Sequence, residues 1–328
     1  MAHLWNPEVY QGAHRRRNYF EGWYYKLISA DRTRVLALIP GIALGREAAE
    51  AHAFIQAIDA RRGLVAYLRY PAEAFRASSG RFDVRIGGSR FSGEGVELRH
   101  DAGEHQLLGG IRFSDIEPYP KRGLHRGIMG PFTFLPGMEC RHGVVNIRQR
   151  LHGRIVFDGV GMDFEGGEGY VEKDWGRSFP SAWIWLQAGH FEDPRASFLF
   201  SAARVPWLGR SFTGLISFLR APDGVHRLAT YNRAKIERLA IGRDRVDARI
   251  LRPGLALELS ARFAPGGVLR APKDGRMERT IEETLSAEVE VRLTARDGRT
   301  LFRGTSGFAG MEISEGAERL AVPPPADQ

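Results

Sequence analysis

The chain has 328 residues, a hydrophobic fraction of 43%, and 47 Lys and Arg against 39 Asp and Glu, for a formal charge of +8. That length can supply two domains with sizeable cores, yet no stretch approaches the roughly 18 apolar residues of a membrane-spanning helix. The single cysteine, Cys140, excludes an internal disulfide framework. The opening Met-Ala-His-Leu-Trp-Asn-Pro lacks the basic-then-apolar order of a secretory signal, so cytoplasmic residence is expected.

The surplus charge points to nucleic acid or to an anionic membrane surface. Its carriers are mostly arginines scattered along the chain, and the one dense run is His14-Arg15-Arg16-Arg17. No recognition helix or RNA-binding signature accompanies them, which sets nucleic acid aside. A basic rim touching lipid head groups, peripheral to the membrane, fits better, and most of the arginines read as solvated faces.

In chain order the periodicity is that of strands almost throughout. Phe20–Ile28 alternates, with Glu21, Trp23 and Tyr25 on one side and Phe20, Tyr24 and Lys26 on the other. Strands are expected at 35–39 and 53–59, with a helical turn as the alternative at 48–53, and then at 64–70, 81–86, 90–98 and 106–113. Gly87-Gly88, Asp158-Gly159, Asp223-Gly224, Asp274-Gly275 and Asp297-Gly298 all have the composition of tight hairpin turns. Residues 117–138, rich in Pro and Gly, read as a lid or an interdomain crossing. Strands resume at 143–151 and 154–157.

After Gly169 the pattern starts again, with strands at 183–191, 197–205, 213–221, 226–231, 280–294 and 300–308. Ile241-Gly242-Arg243-Asp244-Arg245-Val246 echoes Ile86-Gly87-Gly88-Ser89-Arg90-Phe91, and each half opens on an aromatic strand (Trp23-Tyr24-Tyr25, then Trp183-Ile184-Trp185). This reads as a weak duplication of two β domains. The many short strands point to barrels or a sandwich. The expected division is 1–165 and 166–318, with a disordered tail over 319–328 carrying Pro323-Pro324-Pro325.

Several chemistries lack their residues. There is no phosphate-cradling glycine loop, no Gly-x-Ser-x-Gly elbow, and no paired metal-ligand spacing, since Cys140-Arg141-His142 stands alone. No metal site is therefore expected. What remains is an acid and aromatic set. In Gly169–Phe191, Tyr170, Glu172 and Asp174 share one face of an extended segment, and Trp183, Trp185 and Gln187 share a face of the next. The bland reading is an edge ion pair beside a β core, with Trp23, Trp183 and Trp185 as core residues.

The chemical reading is proton delivery to an apolar, electron-rich substrate. Glu172 or Asp174 is the candidate donor and Glu21 the alternative acid. Should Glu21 face a lumen with Trp23 and Tyr25, burial would keep it protonated near neutral pH. Lys173 and Arg177 argue for plain ion pairs instead. Trp23, Tyr25, Trp175, Trp183 and Trp185 are candidates to line a pocket and stabilise a cation, with Gln187 beside them. His52 and His190 are candidates to orient a hydroxyl. Glu312 reads as an exposed strand end.

These residues resemble a known family. Arg16-Arg17-Asn18-Tyr19-Phe20-Glu21-Gly22-Trp23-Tyr24-Tyr25-Lys26, His52-Ala53-Phe54-Ile55-Gln56, Glu172-Lys173-Asp174-Trp175-Gly176 with Phe179-Pro180 and Trp183-Ile184-Trp185, and Thr305-Ser306-Gly307-Phe308 are similar to the signatures of the tocopherol cyclase family. The resemblance runs from about Asn6 to Gly316. It implies two lipocalin-like antiparallel β-barrels, an architecture related to carotenoid hydratases and some pericyclic cyclases. It also implies a cofactor-free isomerase (an intramolecular lyase) that protonates the prenyl double bond of a benzoquinol and closes a chromanol ring. The chain looks like a compact, prokaryote-type member without the plant transit leader. It carries Asp174 where plant members have asparagine, and Leu186-Gln187-Ala188-Gly189-His190 where they have a Cys-Asn pair. A non-catalytic lipid or terpenoid carrier and an isoprenoid hydratase are the alternative functions.

Overall fold

The computed structural model describes residues 2–207 and 209–323. The protein is all-β, built of two antiparallel sheets of 12 and 10 strands among those residues. Its compact units are Met1–Phe179 with Leu269–Thr280, and Pro180–Val268 with Ile281–Gln328.

Each sheet is a meander in which the first and last strands pair with each other. In the first, Tyr19–Ile28 lies between Val35–Leu44 and Glu168–Gly176, and Glu168–Gly176 pairs in turn with Cys140–Phe157. The two ends of the strand path, Leu64–Pro71 and Phe75–Ala77, are consecutive in sequence and separated only by the turn Ala72–Ala74, so the sheet curls almost onto itself. The second sheet is wired alike. Trp183–Ala188 pairs with Thr300–Ile313, and the path ends at the sequence neighbours Gly224–Arg227 and Lys235–Ile241. The two aromatic strands, Tyr19–Ile28 and Trp183–Ala188, hold corresponding places in the two paths.

Alternation decides what each barrel buries. Trp23, Tyr25 and Leu27 point into the first core with Leu36, Leu38, Ile55, Phe91, Leu151 and Val171. In the second, Ile184, Leu186 and Ala188 join Phe198, Phe200, Leu219, Val246, Leu257 and Val291. Trp183, Trp185 and Gln187 occupy the other face of their strand and are nonetheless buried.

Several local expectations take different forms. The strands expected at 143–151 and 154–157 are one strand, Cys140–Phe157, which absorbs its bends in β-bulges rather than in a turn. Glu168–Gly176, placed by the sequence reading at the head of a second domain, is hydrogen-bonded into the first sheet, because its partner Tyr19–Ile28 lies far away in the chain. Ala48–Glu50 is a single 3-10 turn before the strand His52–Asp59. Of the expected tail, Ala317–Leu320 forms a 3-10 turn and Val322 bridges to Leu239. The remaining residues, 324–328, lie outside the described residues.

The hairpin around Asp274-Gly275 belongs to the first unit. Gln56 grips it through both ends of its amide, donating to Arg270 O at 3.0 Å and accepting from Arg270 N–H at 2.9 Å. Asp274 and Gly275 both take positive φ, as a tight Asp-Gly turn requires. A Cβ at Gly275 would fall 2.1 Å from the Leu44 carbonyl oxygen, so only glycine fits there.

Candidate active site

The strand Glu168–Gly176 carries two unlike faces. Its inward face presents Val171, Lys173 and Trp175, which lie opposite Tyr25, Trp23 and Glu21 on the neighbouring strand. Its outward face presents Tyr170, Glu172 and Asp174, opposite Lys26, Tyr24 and Gly22. The strand on its other side sets His142 directly across from Asp174.

The outward face holds an acid–imidazole cluster. His142 Nδ1 stands 2.9 Å from Asp174 Oδ1, and His142 Nε2 stands 3.4 Å from Glu172 Oε2, within ion-pair range but not aligned as a hydrogen bond. The Tyr170 hydroxyl donates to the same Glu172 oxygen at 2.7 Å. Glu172 is the deeper acid, with 4% of its side chain exposed against 25% for Asp174. Burial works to discharge His142, but the two carboxylates beside it overcome that and hold its pKa well above the ordinary value. Burial, and then Glu172, pushes the Tyr170 phenol well up. Burial followed by the charge of Asp174 does the same to the Cys140 thiol, whose Sγ lies 3.9 Å from Asp174 Oδ1.

The ligand atoms of His142, Glu172 and Asp174 lie within 4.8 Å of one another, so these residues could converge on a cation. Both imidazole nitrogens already face carboxylates, which suits the storage of a proton at least as well. Across the sheet the row runs His142, Asp174, Gly22, Gly41, Phe54. The two glycines leave the backbone beside Asp174 without side chains of its own, while the Phe54 ring leans over Gly41. Tyr24 sits opposite Glu172.

Glu21 fills a different role from a free acid. It does face inward with Trp23 and Tyr25, as its alternation implies, but it forms a fully buried ion pair with Lys173 at 2.6 Å. It also accepts from the Gln11 N–H at 2.9 Å and from the Tyr19 hydroxyl. Lys173 donates to the Pro7 and Val9 carbonyls and sits 4.8 Å from the ring centres of both Trp23 and Trp175. Burial pulls the Lys173 pKa below the ordinary value, against the support of Glu21. Trp23, Tyr25 and Trp175 therefore stand on the opposite side of the sheet from Glu172 and Asp174.

Other sequence candidates are placed as follows. His52 shares the outward face, three strands from Asp174, where Nε2 meets the Tyr67 hydroxyl at 2.6 Å and Nδ1 the Glu50 carbonyl at 2.9 Å. Burial lowers its pKa. Trp183, Trp185 and Gln187 belong to the second sheet, where Trp183 Nε1 donates to Glu312 Oε2 at 2.8 Å, so Glu312 is not a bare strand end. His142 was missed, because nothing in Cys140-Arg141-His142 announces a partner 32 residues on.

The raised pKa of His142 has a measurable sign. Its stabilising contribution is complete below the unfolded histidine value of about 6.5 and is lost as pH rises through the higher folded value. The melting temperature should therefore fall from about pH 6.5 upward by more in the native protein than in His142→Gln. Parallel melting curves across that range would refute this placement of the proton.

The fold is two antiparallel β-meanders, the first curling almost onto itself and carrying an acid–imidazole cluster on its outward face. The chain belongs to the tocopherol cyclase-like family, whose model matches residues 111–315, more than half of its length. It is similar to a protein of Oryza sativa subsp. japonica named "Probable tocopherol cyclase, chloroplastic", at 27% identity over 188 residues. That alignment covers 50% of this chain but only 37% of the rice protein. Among solved structures it is similar to CghA, with a TM-score of 0.54 and 11% identity over 90% of this chain and 88% of that one. Kievitone hydratase from Nectria haematococca follows at 0.50 and 11%, covering 93% of each chain. These structural likenesses bear out the lipocalin-like double-barrel fold.

Proposed function

We propose that this protein is a tocopherol cyclase-type isomerase acting on a prenylated benzoquinol, with Asp174 as the group that meets the substrate. The observation that carries the reading is the His142–Glu172–Asp174 cluster, on a segment whose sequence is that of the family. His142 retains a proton between two carboxylates. Asp174, the more exposed acid, relays it to the less substituted carbon of the prenyl double bond. The tertiary cation left behind lies within reach of the aromatic faces of Tyr24 and Phe54. The quinol oxygen bonds to the tertiary cationic carbon, its proton returns to Asp174, and the chromanol ring closes. Atoms and charge balance without a co-reactant.

Glu172 holds the imidazole from behind, and Tyr170 fixes Glu172. Glu21, Trp23, Tyr25 and Trp175 build the barrel wall behind this strand, and Trp183, Trp185 and Gln187 supply buried aromatic and amide surface in the second sheet. The hydrophobic partner is an isoprenoid-bearing ring. The surplus positive charge accords with peripheral contact to an anionic membrane, where such molecules reside.

The test is incubation of the purified protein with a prenylated benzoquinol in deuterium oxide. The expected product is a chromanol isomeric with the quinol, carrying one non-exchangeable deuterium beside the new ether carbon. A product heavier by one water would identify a hydratase instead. Binding without conversion would make the protein a carrier.

A further inference from the structure

We infer that one end of the first unit is a membrane-docking surface that takes anionic lipid. Residues 122–125 form a two-residue hairpin turn, with Arg122 and His125 exchanging backbone hydrogen bonds at 2.9 and 2.8 Å. Gly123, at φ +50°, makes the turn, and Leu124 is thrust outward with 59% of its surface exposed. Leu124 is one of four large apolar residues exposed among the described residues, and Trp5 is another. Its flanks are Lys121 and Arg122 on one side and His125 and Arg126 on the other.

A second apolar group stands beside the turn. Trp5 is 40% exposed and is bound from behind, with the Arg126 guanidinium 5.3 Å from its ring centre and Arg126 Nε donating to its carbonyl at 3.0 Å. The Trp5 ring also meets Phe134 in a tilted contact, their centres 5.0 Å apart. Tryptophan with one apolar and one wet side is the residue that settles at the head-group level.

The charge of this end is one-sided. Arg15, Arg16 and Arg17 are all exposed, and Arg15 lies close enough to Arg141 to depress its pKa beyond what burial does. Arg141 in turn donates to the carbonyls of Thr133 and Leu135, next to the Trp5–Phe134 contact. The nearby acid Glu8 is taken up by Lys121 at 2.7 Å. An exposed leucine and tryptophan ringed by arginines match an interface that is greasy within and anionic at its rim.

The surface stands on these residues alone, whereas its purpose, collecting an isoprenoid from the bilayer, rests on the function proposed above. The test uses the full chain and vesicles without substrate: phosphatidylcholine doped with phosphatidylglycerol, against phosphatidylcholine alone, read by co-sedimentation. Binding is expected to the doped vesicles only. Arg122→Ser should weaken it roughly fivefold and Leu124→Ser about tenfold. Both variants should keep the native melting temperature and full turnover of detergent-dispersed quinol, since both side chains are exposed and lie off the acid cluster.

Equal binding by native protein and Leu124→Ser would overturn the inference. So would indifference to phosphatidylglycerol, or retention by RNA or DNA in place of vesicles. Vesicle binding without quinol turnover would sink the cyclase reading and leave the surface standing.

Discussion

Asp174→Asn, which installs the residue that plant members carry at this position, is expected to lower quinol conversion by about two to four orders of magnitude in this chain, where Asp174 is the acid set against His142, while the protein still binds the quinol. Asparagine keeps the size of the side chain and can still meet His142, which lies 2.9 Å away, but it cannot carry the proton onward. The loss should therefore appear in kcat, with KM nearly unchanged. Glu172→Gln should behave differently. Glu172 is the deeper acid, facing His142 Nε2 at 3.4 Å and bonded to Tyr170, so it acts as a positioning residue. Removing its charge withdraws one of the two supports of the His142 proton, and the alkaline limb of the pH–rate profile should move to lower pH. If Asp174→Asn turned over at the native rate, or if Glu172→Gln left the pH profile in place, the relay would be wrong.

Lys173→Met is expected to destabilise the first unit by about 3–5 kcal/mol. Methionine removes the ammonium while approximating its volume, and leaves the Glu21 carboxylate fully buried without its counter-ion. The same change leaves the Pro7 and Val9 carbonyls without the donor that ties them down, and removes the cation that faces the Trp23 and Trp175 rings. Pairing it with Glu21→Gln should recover much of the loss, because a neutral amide is far cheaper to bury than an unpaired charge. Denaturant titration of the three variants and the native chain forms a double-mutant cycle. A single-variant cost of about 1 kcal/mol or less, the scale of an exposed pair, would show that this ion pair does not hold the end of the barrel.

The sequence was legible where a single strand suffices. Alternation put Tyr170, Glu172 and Asp174 on one face and set Glu21 with Trp23 and Tyr25 on another, and both groupings stand. Asp-Gly at 274–275 was readable as a turn because only its backbone matters. What could not be read was pairing across strands. Lys173 looked like a neighbour of Glu172 by sequence, yet alternation turns it to the far side, where its partner is Glu21 from the first strand. His142 meets Asp174 only through the register of Cys140–Phe157, which shifts at bulges after Val144 and again after Asn146. No local propensity encodes that shift. Trp183 and Trp185 were grouped by chemistry with acids that belong to another sheet, since spacing along the chain says nothing about which meander a strand joins.

The pairing of first strand with last in each meander sets a timetable for synthesis. Residue 21 leaves the ribosome long before residue 175, its partner across the ladder. At roughly 5–20 residues per second the wait is on the order of ten seconds or more. Throughout that interval the aromatic strand Tyr19–Ile28 has one edge of bare amides and carbonyls and no seam to close. The nascent chain is thus at its stickiest while the acid-bearing strand is still being translated, and completing the barrel and delivering Glu172 and Asp174 to their places are one and the same event.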